Sequence, residues 1–157
     1  MRSTSTADPK ARARRYRESS HGRAKIAAYR KTQACRDGWR RHFETPAGRS
    51  LQLWHAARRR AALRGLEFTL DLALVRKWAR KGTCMATGVA IDWIGGRGVG
   101  PGRNVFGPSL DRLNADKGYT NKNTRLTVWA WNALKGTATD AEAWAFIEEA
   151  RRNRRSR

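Results

Sequence analysis

Residues 108–136 read PSLDRLNADKGYTNKNTRLTVWAWNALKG, and the fold turns on this stretch. Leu110 and Leu113 lie in a short strand-like piece. Asn114-Ala-Asp-Lys-Gly118 reads as a turn, because Asn and Asp side chains bond their own backbone and Gly tolerates tight conformations. Thr124 to Val128 carries alternating β-branched residues and predicts a second strand. Val128 to Leu134 predicts a helix stopped by Gly136. Strand, loop, strand and helix thus follow one another within about 28 residues. Thr139 and Glu142 then form a capping box for a last helix, with Ala143, Trp144, Phe146, Ile147 and Ala150 expected to face inward.

Upstream, Leu51, Trp54, Ala57, Ala61 and Ala62 fall at helical spacing over 46–64, with Pro46 near the start and Gly65 at the stop. Leu66 to Leu70 reads as a short extended piece. Leu72, Leu74, Val75 and Trp78 predict a helix over 71–81 ended by Gly82. Residues 83–107 hold seven glycines, and the run from Gly95 to Gly102 reads as a loop on composition. Its GxGxxG-like spacings neither follow a clear strand nor open a helix, so they do not make a nucleotide motif. Residues 21–45 carry scattered apolar positions (Ile26, Tyr29, Trp39, Phe43) consistent with a helix. Residues 1–20 are rich in Arg, Ser and Thr with almost no large apolar residue, the composition of an arm that is disordered or folds on binding. The expected organisation is a basic arm over 1–20, a basic helical region over 21–65, a core over 66–137, and a C-terminal helix with a basic tail over 138–157.

The chain of 157 residues carries a formal net charge of +21. That charge repels itself in the compact state and calls for an anionic partner. It is unevenly spread. Residues 1–64 hold 18 Lys/Arg against 4 Asp/Glu, a net of +14; residues 65–150 hold 11 against 9, a net of +2; residues 151–157 add five Arg. Nucleic acid fits this pattern, because a basic face releases condensed counterions when it binds phosphates. No apolar run is long enough to span a bilayer, and the polar, basic N-terminus has no signal-peptide pattern. Cys35 and Cys84 have no CxxC spacing, and His21, His42 and His55 lack the paired spacing of zinc sites. Two reduced thiols and no zinc are expected.

Phosphodiester hydrolysis needs a divalent cation on oxygen ligands and a base for water. The core offers Asp111 at a strand end, Asn123 just before the second strand, Asn132 on the following helix, and Lys135 one turn on. Pro108 to Asn114, Gly118 to Asn123 and Asn132 to Gly136 together resemble the HNH (ββα-metal) endonuclease motif. They are most similar to a phage and bacterial group related to recombination endonuclease VII. Arg64 to Phe68 and Cys84 to Gly88 also look like the lead-in of that group, so the resemblance covers roughly residues 56–137.

The resemblance implies an α+β fold: a small ββα-metal unit flanked by helices, with a basic N-terminal arm and C-terminal tail. It implies a Mg²⁺- or Mn²⁺-dependent DNA endonuclease or nickase of a bacterial or phage-infected cytoplasm, acting on double-stranded DNA. Asp111 and Asn132 would hold the metal, Asn123 would orient the loop, and Arg112 and Lys135 would bind phosphate. Arg58, Arg59, Arg60, Arg64 and Arg125 complete the expected nucleic-acid surface. One position departs from the motif. Where the family carries a general-base His after the Asp, this chain has Arg112, which cannot take a proton from water. Replacement bases would be Asp92, Asp116 or His55. Without one, either the metal alone activates water or the site is weak or dead; the alternatives to an endonuclease are a non-catalytic nucleic-acid-binding protein on a degenerate HNH scaffold and a basic structural component of a nucleoprotein particle.

Overall fold

A computed structural model describes residues 8–94 and 104–155. The expectations for residues 1–7 and for the glycine-rich run 95–102 lie outside the described residues. The chain divides into two compact units, Met1–Arg41 and His42–Arg157. Among the described residues the architecture is α+β, with seven helices and one two-stranded antiparallel sheet. None of those helices is long and apolar enough to cross a membrane.

The first unit contains α1 (Pro9–Glu18), α2 (Ser20–Arg30) and most of α3 (Gln33–Phe43). The described part of the basic arm is therefore helical, where its composition predicts disorder or folding on binding. Local signals account for it. The Asp8 side chain caps α1 by accepting from the Lys10 amide at 2.9 Å, and Pro9 occupies the first turn, where a missing N–H costs nothing. Ser19 caps α2 through the Gly22 amide at 3.0 Å. A Cβ on Gly22 would meet the Tyr16 carbonyl oxygen at 1.8 Å, so only glycine allows the close turn between α1 and α2. α1 buries none of its residues. Residues 21–45 form two helices rather than one, interrupted after Arg30.

The second unit begins its regular structure with α4 (Pro46–Leu63), capped by Thr45 through the Gly48 amide at 3.1 Å. Gly65 follows at φ 64°. α5 (Leu72–Lys81) is capped by Asp71 through the Ala73 amide at 2.8 Å and ended by left-handed Gly82. Between them, Phe68 forms an isolated parallel bridge with Tyr119 in place of a full strand. β1 (Pro108–Arg112) pairs antiparallel with β2 (Thr124–Val128) in the register Leu110↔Leu126 and Asp111↔Arg125. α6 (Trp129–Lys135) and α7 (Asp140–Arg155) complete the chain, and α7 continues helical through most of the basic tail.

Directly opposed residues share one face of a sheet. Leu110, Leu126 and Val128 therefore join a core with Ala57, Ala61, Val75, Trp78 and Ile91 from the α4–α5 side. The other face carries Ser109, Asp111, Arg125 and Thr127, and α6 lies on it. Every residue of β2 is buried, because helices cover both faces. The capping box at α7 forms as its spacing predicts: the Thr139 amide donates to Glu142 at 2.7 Å and the Glu142 amide to Thr139 at 3.3 Å. The Glu142 carboxylate accepts from the Thr139 amide and, at 2.8 Å, from the Thr139 hydroxyl, and these bonds hold it below the usual carboxylate range. Its expected inward stripe is only partly inward. Ala143 is buried and Ile147 packs on the core, but Trp144 is 39% and Phe146 63% exposed. Among the described elements α7 packs its apolar side on α6, so only its N-terminal turns find apolar cover.

Candidate nucleic-acid interface

The polar face of the sheet centres on Asp111, whose side chain is 2% exposed. Arg125 lies opposite it across the strands and donates to Oδ2 from Nε at 3.0 Å and from Nη2 at 2.8 Å. Lys135, on the last turn of α6, reaches Oδ1 at 3.4 Å and donates to the Arg112 carbonyl oxygen at 2.9 Å. Arg125 also clasps Asp140 at the start of α7, with Nη1 at 2.6 Å from Oδ2. Two carboxylates and two cations thus form one balanced network joining both strands, α6 and α7. Burial works to lower the Arg125 pKa, but hydrogen bonds to Asp140 and Asp111 outweigh it and raise it. The same contact holds the Asp140 carboxyl below its ordinary value.

This geometry revises two sequence expectations. Arg125 and Lys135 are buried cations committed to Asp111, not phosphate contacts at the surface. Both belong to the interior because the cross-strand register and the helix turn bring them onto one carboxylate.

Asn123 holds the loop between the strands. Its Nδ2 donates to the carbonyl oxygens of Gly118 (2.8 Å) and Asn114 (3.0 Å), and its Oδ1 accepts from the Asn114 amide at 2.9 Å. Asn132 donates from Nδ2 to Ser109 Oγ at 2.8 Å. Asp111 and Asn132 both line a cleft of about 420 Å³, together with Arg60, Arg64, Arg112, Tyr119 and Trp129. Arg112 donates to the Lys117 carbonyl oxygen at 2.9 Å, and its guanidinium lies 5.3 Å from the centre of the Tyr119 ring. Arg60 donates from Nε to the Tyr119 hydroxyl at 3.2 Å. Arg58 and Arg59 are exposed on α4 and do not line the cleft, and Arg58 rests over Trp54 at 5.7 Å. Tyr119, Ser109 and Trp129 are cleft residues that the sequence did not mark as functional. The only signal for Tyr119 was its place in the Gly118-Tyr-Thr120 triplet.

The expected metal pair can be tested against these contacts. An ion about 2.2 Å from an Asp111 oxygen would gain on the order of 15 kcal/mol from the carboxylate charge at an effective dielectric of about 20. Two cations about 4.5 Å away would each take back on the order of 7 kcal/mol. Lys135 and Arg125 already stand on that carboxylate. In this arrangement Asp111 and Asn132 do not fit a divalent cation. Among the described residues, the cleft lining includes none of the replacement bases. His55 is exposed with its ring 5.1 Å from that of Trp54, Asp92 accepts from the Ile94 amide at 3.1 Å, and Asp116 lines a separate cleft with Glu67 and Lys117.

Comparison with known proteins returns no match, whether against family models, curated proteins or solved structures.

Proposed function

We propose that this chain is a nucleic-acid-binding protein on an HNH-type ββα scaffold, and that its cleft receives a backbone phosphate of double-stranded DNA. The observation that carries the reading is the charge of the cleft. Arg60, Arg64 and Arg112 line it, and the carboxylate among its described lining residues, Asp111, is already neutralised from behind by Arg125 and Lys135. What remains facing a ligand is cationic, and guanidinium forks suit phosphate oxygens. The order β1, β2, α6, with Asp111 near the end of β1 and Asn132 on α6, supports the HNH-type scaffold. The net charge of +21 supports a polyanionic partner. The resemblance to a phage and bacterial group extends the proposal to the site of action, the cytoplasm of a bacterial or phage-infected cell.

A second reading, the metal-dependent endonuclease, keeps one specific observation in its favour: Asp111, Arg112 and Asn132 line the same cleft. Cleavage would require Lys135 and Arg125 to release Asp111. Supercoiled plasmid incubated with Mg²⁺ or Mn²⁺, with and without EDTA, separates the two. The binding reading expects a mobility shift without nicking. Metal-dependent nicking that Asp111→Asn abolishes would replace it with the endonuclease. Within the binding reading, Arg60→Ala and Arg112→Ala should each weaken binding of a 20-bp duplex by roughly tenfold, as removal of a charge-assisted hydrogen bond does. Unchanged affinity in both variants would remove the cleft from the interface.

A further inference from the structure

Tyr119 is 5% exposed and meets two arginines that reach it from different parts of the chain. Arg60 comes from α4, with its guanidinium 5.7 Å from the ring centre and its Nε bonded to the hydroxyl. Arg112 comes from the end of β1, 5.3 Å from the same ring. The main chain that carries the ring is held by two backbone bonds. The Tyr119 amide donates to the Glu67 carbonyl oxygen at 2.9 Å, and the Thr69 amide donates to the Tyr119 carbonyl oxygen at 3.0 Å. Gly118 permits this close approach, because a Cβ there would meet the Glu67 carbonyl oxygen at 2.0 Å.

Two guanidiniums brought together repel each other. An aromatic face attracts each electrostatically, and a phenol oxygen accepts from one of them. Arg60 and Arg112 are both only partly buried and both line the cleft. From this geometry we infer that Tyr119 is a positioning residue: it sets the spacing of Arg60 and Arg112 so that the two close on one phosphate like the arms of a clamp. This rests on the reading of the cleft as a DNA-phosphate site. It adds that the clamp is preorganised, so less side-chain freedom is lost on binding.

The two contacts differ, and the difference makes a test. Arg60 uses the hydroxyl and the ring, whereas Arg112 uses the ring and the Lys117 carbonyl oxygen. The probe is a fluorescein-labelled 20-bp duplex, titrated with the full chain carrying Arg60→Ala or Arg112→Ala in the native, Tyr119→Phe and Tyr119→Leu backgrounds, with thermal melts alongside. In the native background each arginine should cost roughly tenfold in affinity. In Tyr119→Phe the cost of Arg60→Ala should fall by about two- to fivefold while that of Arg112→Ala holds. In Tyr119→Leu both costs should fall. A purely structural tyrosine predicts lower melting temperatures with both arginine costs unchanged in every background, and that result overturns the inference. Should Tyr119→Leu fail to fold, the asymmetry in Tyr119→Phe decides alone: equal costs there overturn it. If neither arginine matters in the native background, the cleft reading itself falls, a result that does not involve the Tyr119 variants.

Discussion

Asp111 has the largest consequences of any single residue here. It is buried, with Arg125 on one oxygen and Lys135 on the other. Removing its charge leaves two buried cations short of a partner, a change that typically costs about 3–5 kcal/mol. Asp111→Ala should therefore lower the unfolding free energy in urea at pH 7 by about that amount, and Lys135→Met, which leaves the Arg125 pair intact, by less. A stability loss for Asp111→Ala below about 1 kcal/mol would mean that the network is not as tight as its distances imply. Asp140 gives a pH signature. Arg125 lowers its folded-state pKa, so the stability it adds is fully present above its unfolded value of about 3.8 and is lost as pH falls through the lower folded value. With the carboxylate 39% exposed, solvent screens the effect, so the contribution is modest. Asp140→Asn should remove part of the acid-induced loss below pH 4 and leave the loss from other carboxylates; an unchanged stability–pH curve would contradict the pairing.

At the scale of elements, what the sequence made legible was local. The β-branched run Thr124–Val128, the stops at Gly65 and Gly82 and the Thr139–Glu142 box each depend on residues within one turn or strand, and each appears in the structure. The helix at Pro9–Glu18 was hidden because an Arg-rich segment has no apolar period, although Asp8-Pro9 is itself a start signal. The partners of Asp111 depend on strand register. Arg125 lies fourteen residues away and meets Asp111 only once the loop length fixes the pairing. Lys135 follows Asn132 by three positions, hence shares its helix face, a spacing that places both on the sheet but cannot say which one reaches the carboxylate. Tyr119 was the least legible, because its role depends on α4 and β1 meeting in space. The loop that carries it gives an element-scale prediction. Gly118→Ala forces a Cβ against the Glu67 carbonyl oxygen, so the loop or the 66–70 segment must shift. Urea unfolding should show a loss of about 1–3 kcal/mol, the range for overpacking a close contact, and native-like stability would contradict the close approach.

For the molecule as a whole, charge and fold are distributed differently. The unit Met1–Arg41 is strongly basic and α1 buries none of its residues, whereas the sheet, the core and the cleft belong to His42–Arg157. On the proposed reading, the first unit adds affinity without sequence or shape readout, as phosphate contacts do. Deleting residues 1–20 should flatten the dependence of log K on log salt while leaving the effect of Arg112→Ala intact; an unchanged slope would take the N-terminal segment out of the binding surface. The cleft makes the complementary claim, and one measurement reaches it directly: the salt dependence of duplex DNA binding for the native chain beside the Arg60→Ala/Arg64→Ala/Arg112→Ala variant. If Arg60 and Arg112 close on one backbone phosphate and Arg64 holds at most one more, the slope should fall in magnitude by about 1–2, near 0.9 for each phosphate no longer neutralised, with the melting temperature little changed. A variant that folds and binds with the native slope would show that the phosphates lie elsewhere, and the account of the cleft would be wrong.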